Sequence, residues 1–169
     1  MSLFVHLWKN FPKKEELSST CRNKQEKSDK PFDDYCAILL SECFNRSGVQ
    51  ISAFKGNRCW SHSGPKHMLL AEDLAKGLIQ FSPKGFSKVE KISPSNFQAV
   101  LKGKKGVIFF KDYWQRGNES FENRSGDHID LWNENKITGS SMTYRSLIEF
   151  MGFVSDLNKS KEVWFWEVQ

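Results

Sequence analysis

The chain has 169 residues, of which 38% are hydrophobic and 14% aromatic, including 14 Phe and 6 Trp. That length suits one domain with a real core, and the aromatic content excludes a disordered chain. The formal net charge of +5 is spread along the sequence; a basic surface suits polyanions such as nucleic acid, anionic lipid or cell wall without choosing among them.

The longest apolar runs, at 36–40 and 106–110, are too short to span a bilayer, so no membrane insertion is expected. Residues 1–11 have no basic flank ahead of their apolar stretch and no small-residue cleavage site, and so do not read as a secretory signal.

In chain order, Leu3, Phe4, Leu7, Trp8 and Phe11 have the spacing of one helix face, stopped by Pro12. Residues 13–30 are charged and nearly free of aliphatics and read as an exposed loop. Asp33 or Asp34 then caps a helix running to about Ser47, with Gly48 as its terminator and Ala37, Ile38, Leu40, Cys43 and Phe44 as its buried stripe. Residues 50–54 and 58–61 read as short strands or extended loop.

Residues 68–80 form a second amphipathic helix, with Leu69, Leu70, Leu74 and Leu78 inward. A strand over 86–92 and a short helix from Ser93 to Leu101 follow, then a turn at 102–106. The run Gly106–Asp112 is β-branched and aromatic, the pattern of a buried strand. A long polar loop over 115–126 leads into a strand at His128–Trp132, a turn at 133–135 and a returning hairpin strand at 136–138. Residues 142–150 read as a fourth helix and 162–168 as a last strand, with Trp164, Trp166 and Val168 on one face. Helices dominate the first half and strands the second, so the fold class is α+β with helices packed on an antiparallel sheet, in a single domain over 1–169.

Four cysteines stand at 21, 36, 43 and 59, with no CxxC pair, so a zinc ribbon is not expected. Cys36 falls in the first turn of a helix, where unpaired N–H groups and the helix dipole favour a thiolate and its own N–H could serve an oxyanion. By position alone it is either a nucleophile or one more buried small hydrophobe. Cys43 lies on the buried stripe; Cys59 sits beside Trp60; Cys21, in the charged loop, has no evident role.

His6 reads as a helix surface residue. His62 and His67 flank Gly64-Pro65, but no cysteine or carboxylate stands at ligand spacing from them, so neither a metal nor a cofactor is expected. His128 opens a strand at the end of the polar loop. A helix-initial Cys followed about 90 residues on by a strand-initial His is the order of papain-like cysteine hydrolases. Lys102, Lys104, Lys105 and Lys111 around Phe109 and Phe110 could alternatively form a nucleic-acid surface, but they read better as a solvated turn beside a core strand.

Four stretches, in consistent order over 32–168, resemble the fourth family of type VI secretion amidase effectors: Tyr35–Ser41 with Ser47-Gly-Val49, Gly56-Asn-Arg58, Gly126–Trp132 and Val163–Glu167. The resemblance implies a papain-like fold of the NlpC type, with Cys36 as nucleophile and His128 as base. It implies cleavage of the γ-D-glutamyl–meso-diaminopimelate bond of peptidoglycan stem peptides and delivery, without a signal peptide, from the producer's cytoplasm into a rival's periplasm. It also implies a cognate immunity protein as partner.

Two positions depart from the family pattern. Gly139 stands where the family can carry an Asp eleven residues after the His, leaving Asp130, Asn133, Thr138 or Ser140 as the third catalytic member; Leu39 stands where a basic residue is frequent. A non-catalytic wall-binding relative is the alternative that the first departure raises.

Overall fold

Packing divides the chain into two units, residues 1–84 and 85–169. The computed structural model describes residues 1–25, 28–138, 140–141 and 157–169; the helix expected over 142–150, and Gly139, lie outside them.

The first unit is mostly helical. Helix α1 spans Leu3–Asn10, with the Ser2 hydroxyl accepting from the Val5 N–H at its start and Phe4 and Leu7 buried. Residues 13–30 differ from the exposed loop expected of them. They contain helix α2 (Lys14–Leu17) and an antiparallel hairpin of β1 (Arg22–Gln25) and β2 (Ser28–Pro31). The reason lies in two apolar residues: Leu17 and Cys21 are four apart, joined by a Cys21 N–H to Leu17 carbonyl bond of 2.8 Å, so both turn to the same side and are buried.

Helix α3 spans Cys36–Arg46, and its expected stripe of Ala37, Ile38, Leu40, Cys43 and Phe44 is buried throughout. Gly48, at φ +76°, takes the left-handed conformation that ends a helix. The Cys43 thiol donates to the Leu7 carbonyl at 3.1 Å, joining α3 to α1.

After α3 the chain runs irregularly, pinned by one cation: the Arg58 guanidinium donates to the carbonyls of Ile51, Phe54 and Lys66 at 2.5–2.9 Å. Helix α4 starts later than the sequence spacing suggests, at Ala71, and ends at Phe81; Leu74 and Leu78 are buried, whereas Leu70 is its N-cap and Leu69 precedes it. Gly77 in α4 is packed under the Phe54 ring, and a Cβ there would lie 2.2 Å from Phe54 Cδ2. That ring is itself stacked on Phe81 at 5.4 Å. A Gly77→Ala change gains about 1 kcal/mol of helix propensity but must displace the ring, at about 1–3 kcal/mol. The variant is expected to unfold at lower urea concentration than the wild type, with an unchanged denaturant slope.

The second unit is built on a six-stranded antiparallel sheet of β3 (Glu90–Ile92), β4 (Lys105–Trp114), β5 (Gly126–Asn133), β6 (Lys136–Ile137), β7 (Ser140–Ser141) and β8 (Glu162–Glu167), in the order β3-β8-β4-β5-β6-β7. Val107, Ile108, Phe109 and Phe110 of β4 are all fully buried, as the run of β-branched and aromatic residues requires of a central strand. Burial of Phe109 and Phe110 removes the stacking surface a nucleic-acid reading needs, and Lys104 and Lys105 are paired with Glu90 and Glu134.

Only the end of the stretch expected to be a strand over 86–92 becomes β3, and the short helix expected from Ser93 narrows to α5 (Phe97–Val100). Phe97 packs edge-on to Phe110 and Trp132, whose indole donates to the Leu101 carbonyl at 2.9 Å. The units together are an α+β fold with antiparallel sheets, the class expected from the sequence.

Candidate active site

Cys36 is the first residue of α3 and is partly exposed. The Asp34 carboxylate caps this end: its Oδ1 accepts from the Cys36 N–H at 2.9 Å and its Oδ2 lies 3.5 Å from Sγ. The Cys36 N–H is therefore a capping donor, engaged by Asp34, rather than the ready oxyanion donor that its position suggests. Two influences act on the thiol in opposite senses. The helix N-terminus favours a thiolate, and the adjacent carboxylate opposes it.

Asp34→Asn keeps an acceptor for the N–H and places an amide donor beside Sγ. Alkylation of Cys36 by iodoacetamide at neutral pH, followed by mass spectrometry, is expected to accelerate about 3- to 10-fold. Leu39, where the resemblance leads one to expect a basic residue, is partly buried against the apolar cluster that includes Leu17, Cys21, Tyr35, Ile38 and Cys59. A cleft of about 450 Å³ lies toward the other end of α3, lined by Asn45, Ile51 and Arg58 among others and by none of the expected site residues.

His128 lies on β5, directly opposite Phe110 of β4, with its side chain one-fifth exposed. The Phe110 and Tyr113 rings flank the imidazole at 6.4 and 6.2 Å between centroids. Alternation along the strand puts Asp130 on the same face, and its Oδ2 lies 3.2 Å from His128 Nε2. Asp130 is 5% exposed, which a carboxylate tolerates only with its oxygens satisfied. They are: Oδ1 accepts from the Leu131 N–H at 2.7 Å and from the Thr138 hydroxyl.

Because Asp130 only accepts, Nε2 carries the proton it shares with Oδ2, and Nδ1 is the basic nitrogen of the neutral ring. Of the four residues considered for the third position, the fold brings Asp130 to His128 and sets Thr138 behind Asp130. Asn133 pairs with Lys136 at the hairpin turn, and Ser140 is in β7.

A second constellation was not legible from spacing. Cys21, given no role by its sequence context, is fully buried, and its Sγ lies 2.9 Å from His67 Nδ1 and 3.3 Å from His62 Nε2. His67 Nε2 is 2.9 Å from the Glu42 carboxylate. Burial holds the His67 imidazole below its ordinary range, so a neutral ring donates to Glu42. Burial works to raise the Glu42 carboxyl, but hydrogen bonds from His67 and Arg46 outweigh it and the net shift is downward.

Cysteine, imidazole and carboxylate in line have the make-up of a hydrolase relay. The buried Cys21 sulfur is closed to a wall peptide, however, and desolvation pushes its thiol well up, the reverse of an activated nucleophile.

A family model described as type VI secretion system (T6SS), amidase effector protein 4 matches residues 32–166. Solved structures agree over the full length. The type VI effector Tae4 from Enterobacter cloacae aligns with TM-score 0.64 at 17% identity, covering 100% of this chain and 98% of that one. The Tae4-Tai4 effector-immunity complexes from Enterobacter cloacae and Salmonella Typhimurium align with TM-scores 0.62 and 0.61 at 18% and 16% identity, covering 100% and 99% of this chain and 99% and 98% of theirs. At such identities the structural likeness establishes the fold, which is the papain-like NlpC type expected. No curated protein matches the chain in sequence. The match of the family model over most of the chain decides its kinship: the chain belongs to the type VI secretion amidase effector 4 family.

Proposed function

We propose that the chain cleaves peptidoglycan stem peptides at the γ-D-glutamyl–meso-diaminopimelate bond, with Cys36 as nucleophile and His128 as base. The observation that carries the reading is the imidazole of the family's strand motif held by a buried, fully hydrogen-bonded carboxylate, at 3.2 Å. A non-catalytic wall binder has no use for that arrangement. In the reaction, Nδ1 of His128 takes the Cys36 thiol proton as sulfur attacks the amide carbonyl. It returns that proton to the leaving amine as the C–N bond breaks, and a thioester remains on Cys36. Water, deprotonated by the same nitrogen, then adds to the thioester carbonyl; the free acid leaves and the thiol is restored. Asp130 stabilises the imidazolium and fixes the ring's tautomer and orientation.

The substrate class and family membership support further parts of the same reading. The protein is made in the producer's cytoplasm and delivered into the periplasm of a target bacterium. A dedicated immunity protein restrains it, as Tai4 accompanies Tae4 in the related complexes.

The test is digestion of purified Gram-negative peptidoglycan, with fragments separated by liquid chromatography and identified by mass spectrometry. Wild type is expected to release fragments that end at γ-D-glutamate and begin at diaminopimelate. Fragments cut elsewhere would overturn the bond assignment. An unchanged digest under reducing conditions would favour the wall-binding alternative.

A further inference from the structure

Three electron-pair donors converge inside the first unit. His62 Nδ1 lies 2.8 Å from the Ser63 carbonyl and His67 Nε2 lies 2.9 Å from the Glu42 carboxylate. Each of those oxygens can only accept, so each of those nitrogens is the protonated one. The remaining nitrogens, His62 Nε2 and His67 Nδ1, therefore present lone pairs, and both aim at the sulfur of Cys21, at 3.3 and 2.9 Å.

A thiol has one proton and can serve only one of the two, so the other lone pair faces the sulfur without a hydrogen between. A cation removes this conflict. An imidazole whose far N–H is held by a carboxylate or carbonyl is also the usual outer setting of a metal-bound histidine. The three ligand atoms of Cys21, His62 and His67 lie within 4.8 Å of one another.

We propose that Cys21, His62 and His67 form a structural site for a zinc-type divalent cation. One thiolate and two imidazoles match the preference of zinc over calcium or magnesium. Tetrahedral coordination sets sulfur–nitrogen separations at about 3.6 Å, so the 3.3 and 2.9 Å separations widen on binding. The Cys21 thiol proton passes to solvent as the metal binds.

The ligands come from distant stretches. Cys21 closes the turn before β1, and His62 and His67 belong to the loop ahead of α4. Through Glu42 on His67, and the Tyr35 hydroxyl on the Cys21 carbonyl at 2.6 Å, the site is tied to the start and middle of α3. Its function is to fasten two loops to the helix that begins with Cys36. The proposal does not depend on the amidase reading, and its readout is metal content rather than wall cleavage.

The experiment is elemental analysis of the full-length protein purified from zinc-supplemented medium, alongside titration of the metal-free protein with Co²⁺. About one equivalent of zinc is expected, together with a thiolate-to-cobalt charge-transfer band and a rise in melting midpoint on zinc addition of roughly 5–15 °C. Cys21→Ser is expected to abolish all three; His62→Gln, at a half-exposed position that a folded chain tolerates, is expected to weaken zinc binding at least about 100-fold. Cys36→Ala and Cys43→Ala are expected to keep the full equivalent. Zinc binding weaker than about 1 μM, binding undiminished in both Cys21→Ser and His62→Gln, or isolation of the protein with Cys21 and Cys59 joined as a disulfide would each overturn the proposal.

Discussion

Cys36→Ala is expected to lower peptidoglycan cleavage by at least about 10⁴-fold while leaving the circular dichroism spectrum and melting midpoint of the wild type in place. The fold has little stake in this sulfur: Cys36 opens α3 at a partly exposed position, outside the buried stripe that holds the helix. Alanine is moreover a good helix former. On the proposed assignment the chemistry depends on it entirely, because the thioester forms on that sulfur. Cys43→Ala sharpens the comparison. Its thiol is buried and donates to the Leu7 carbonyl, so the expected loss is about 1–3 kcal/mol of stability with cleavage retained at temperatures where the variant is folded. If Cys43→Ala were dead and Cys36→Ala active, the nucleophile would be wrongly assigned.

The second large effect is expected at Asp130. Leu131 N–H and the Thr138 hydroxyl both donate to Oδ1, so in Asp130→Asn the amide oxygen must occupy that position and the NH₂ group must take the place of Oδ2. A donor then faces His128 Nε2, which has to become an acceptor. The ring switches tautomer, Nδ1 becomes protonated and the base is lost. A loss in kcat of about 10²- to 10⁴-fold follows, with KM little changed. Thr138→Val removes one donor and leaves the carboxylate, so it is expected to cost no more than about 10-fold. Nitrogen-detected spectra of the imidazole give an independent readout: Asp130→Asn is expected to exchange the two ring-nitrogen signals and Thr138→Val is not. Equal losses in the two variants, with no tautomer change, would reduce Asp130 to a packing role.

Much of this was legible in the residues, and the limits have physical causes. Helix α3 and strand β4 announce themselves through periodicity, one with apolar residues three and four apart, the other with an unbroken run fit for burial on both faces. The pairing of Asp130 with His128 follows from the two-residue period of a strand, once the strand is recognised. That the carboxylate is satisfied through Oδ1 by Thr138 is set by the hairpin register, which sequence leaves open. The hairpin at 22–31 was missed because its side chains are polar, and no alternation marks a strand that carries no buried face.

The metal-like cluster was missed for a different reason. Ligand signatures are read as local spacings, and here Cys21 meets His67 across 46 positions. The clue that was present is the burial tendency of cysteine itself: a cysteine amid charged residues has to be drawn inward by something.

The order of strands in the sheet bears on how the protein is made. The last strand in sequence, β8, lies between β3 and β4. While the chain is still emerging from the ribosome, β4 can pair with β5 but keeps its other edge open until residues 162–167 arrive. A nascent or prematurely terminated chain therefore lacks a finished sheet, and the buried face of β4 stays exposed to chaperones and proteases. The sheet that carries His128 is therefore complete only in chains translated at least through β8.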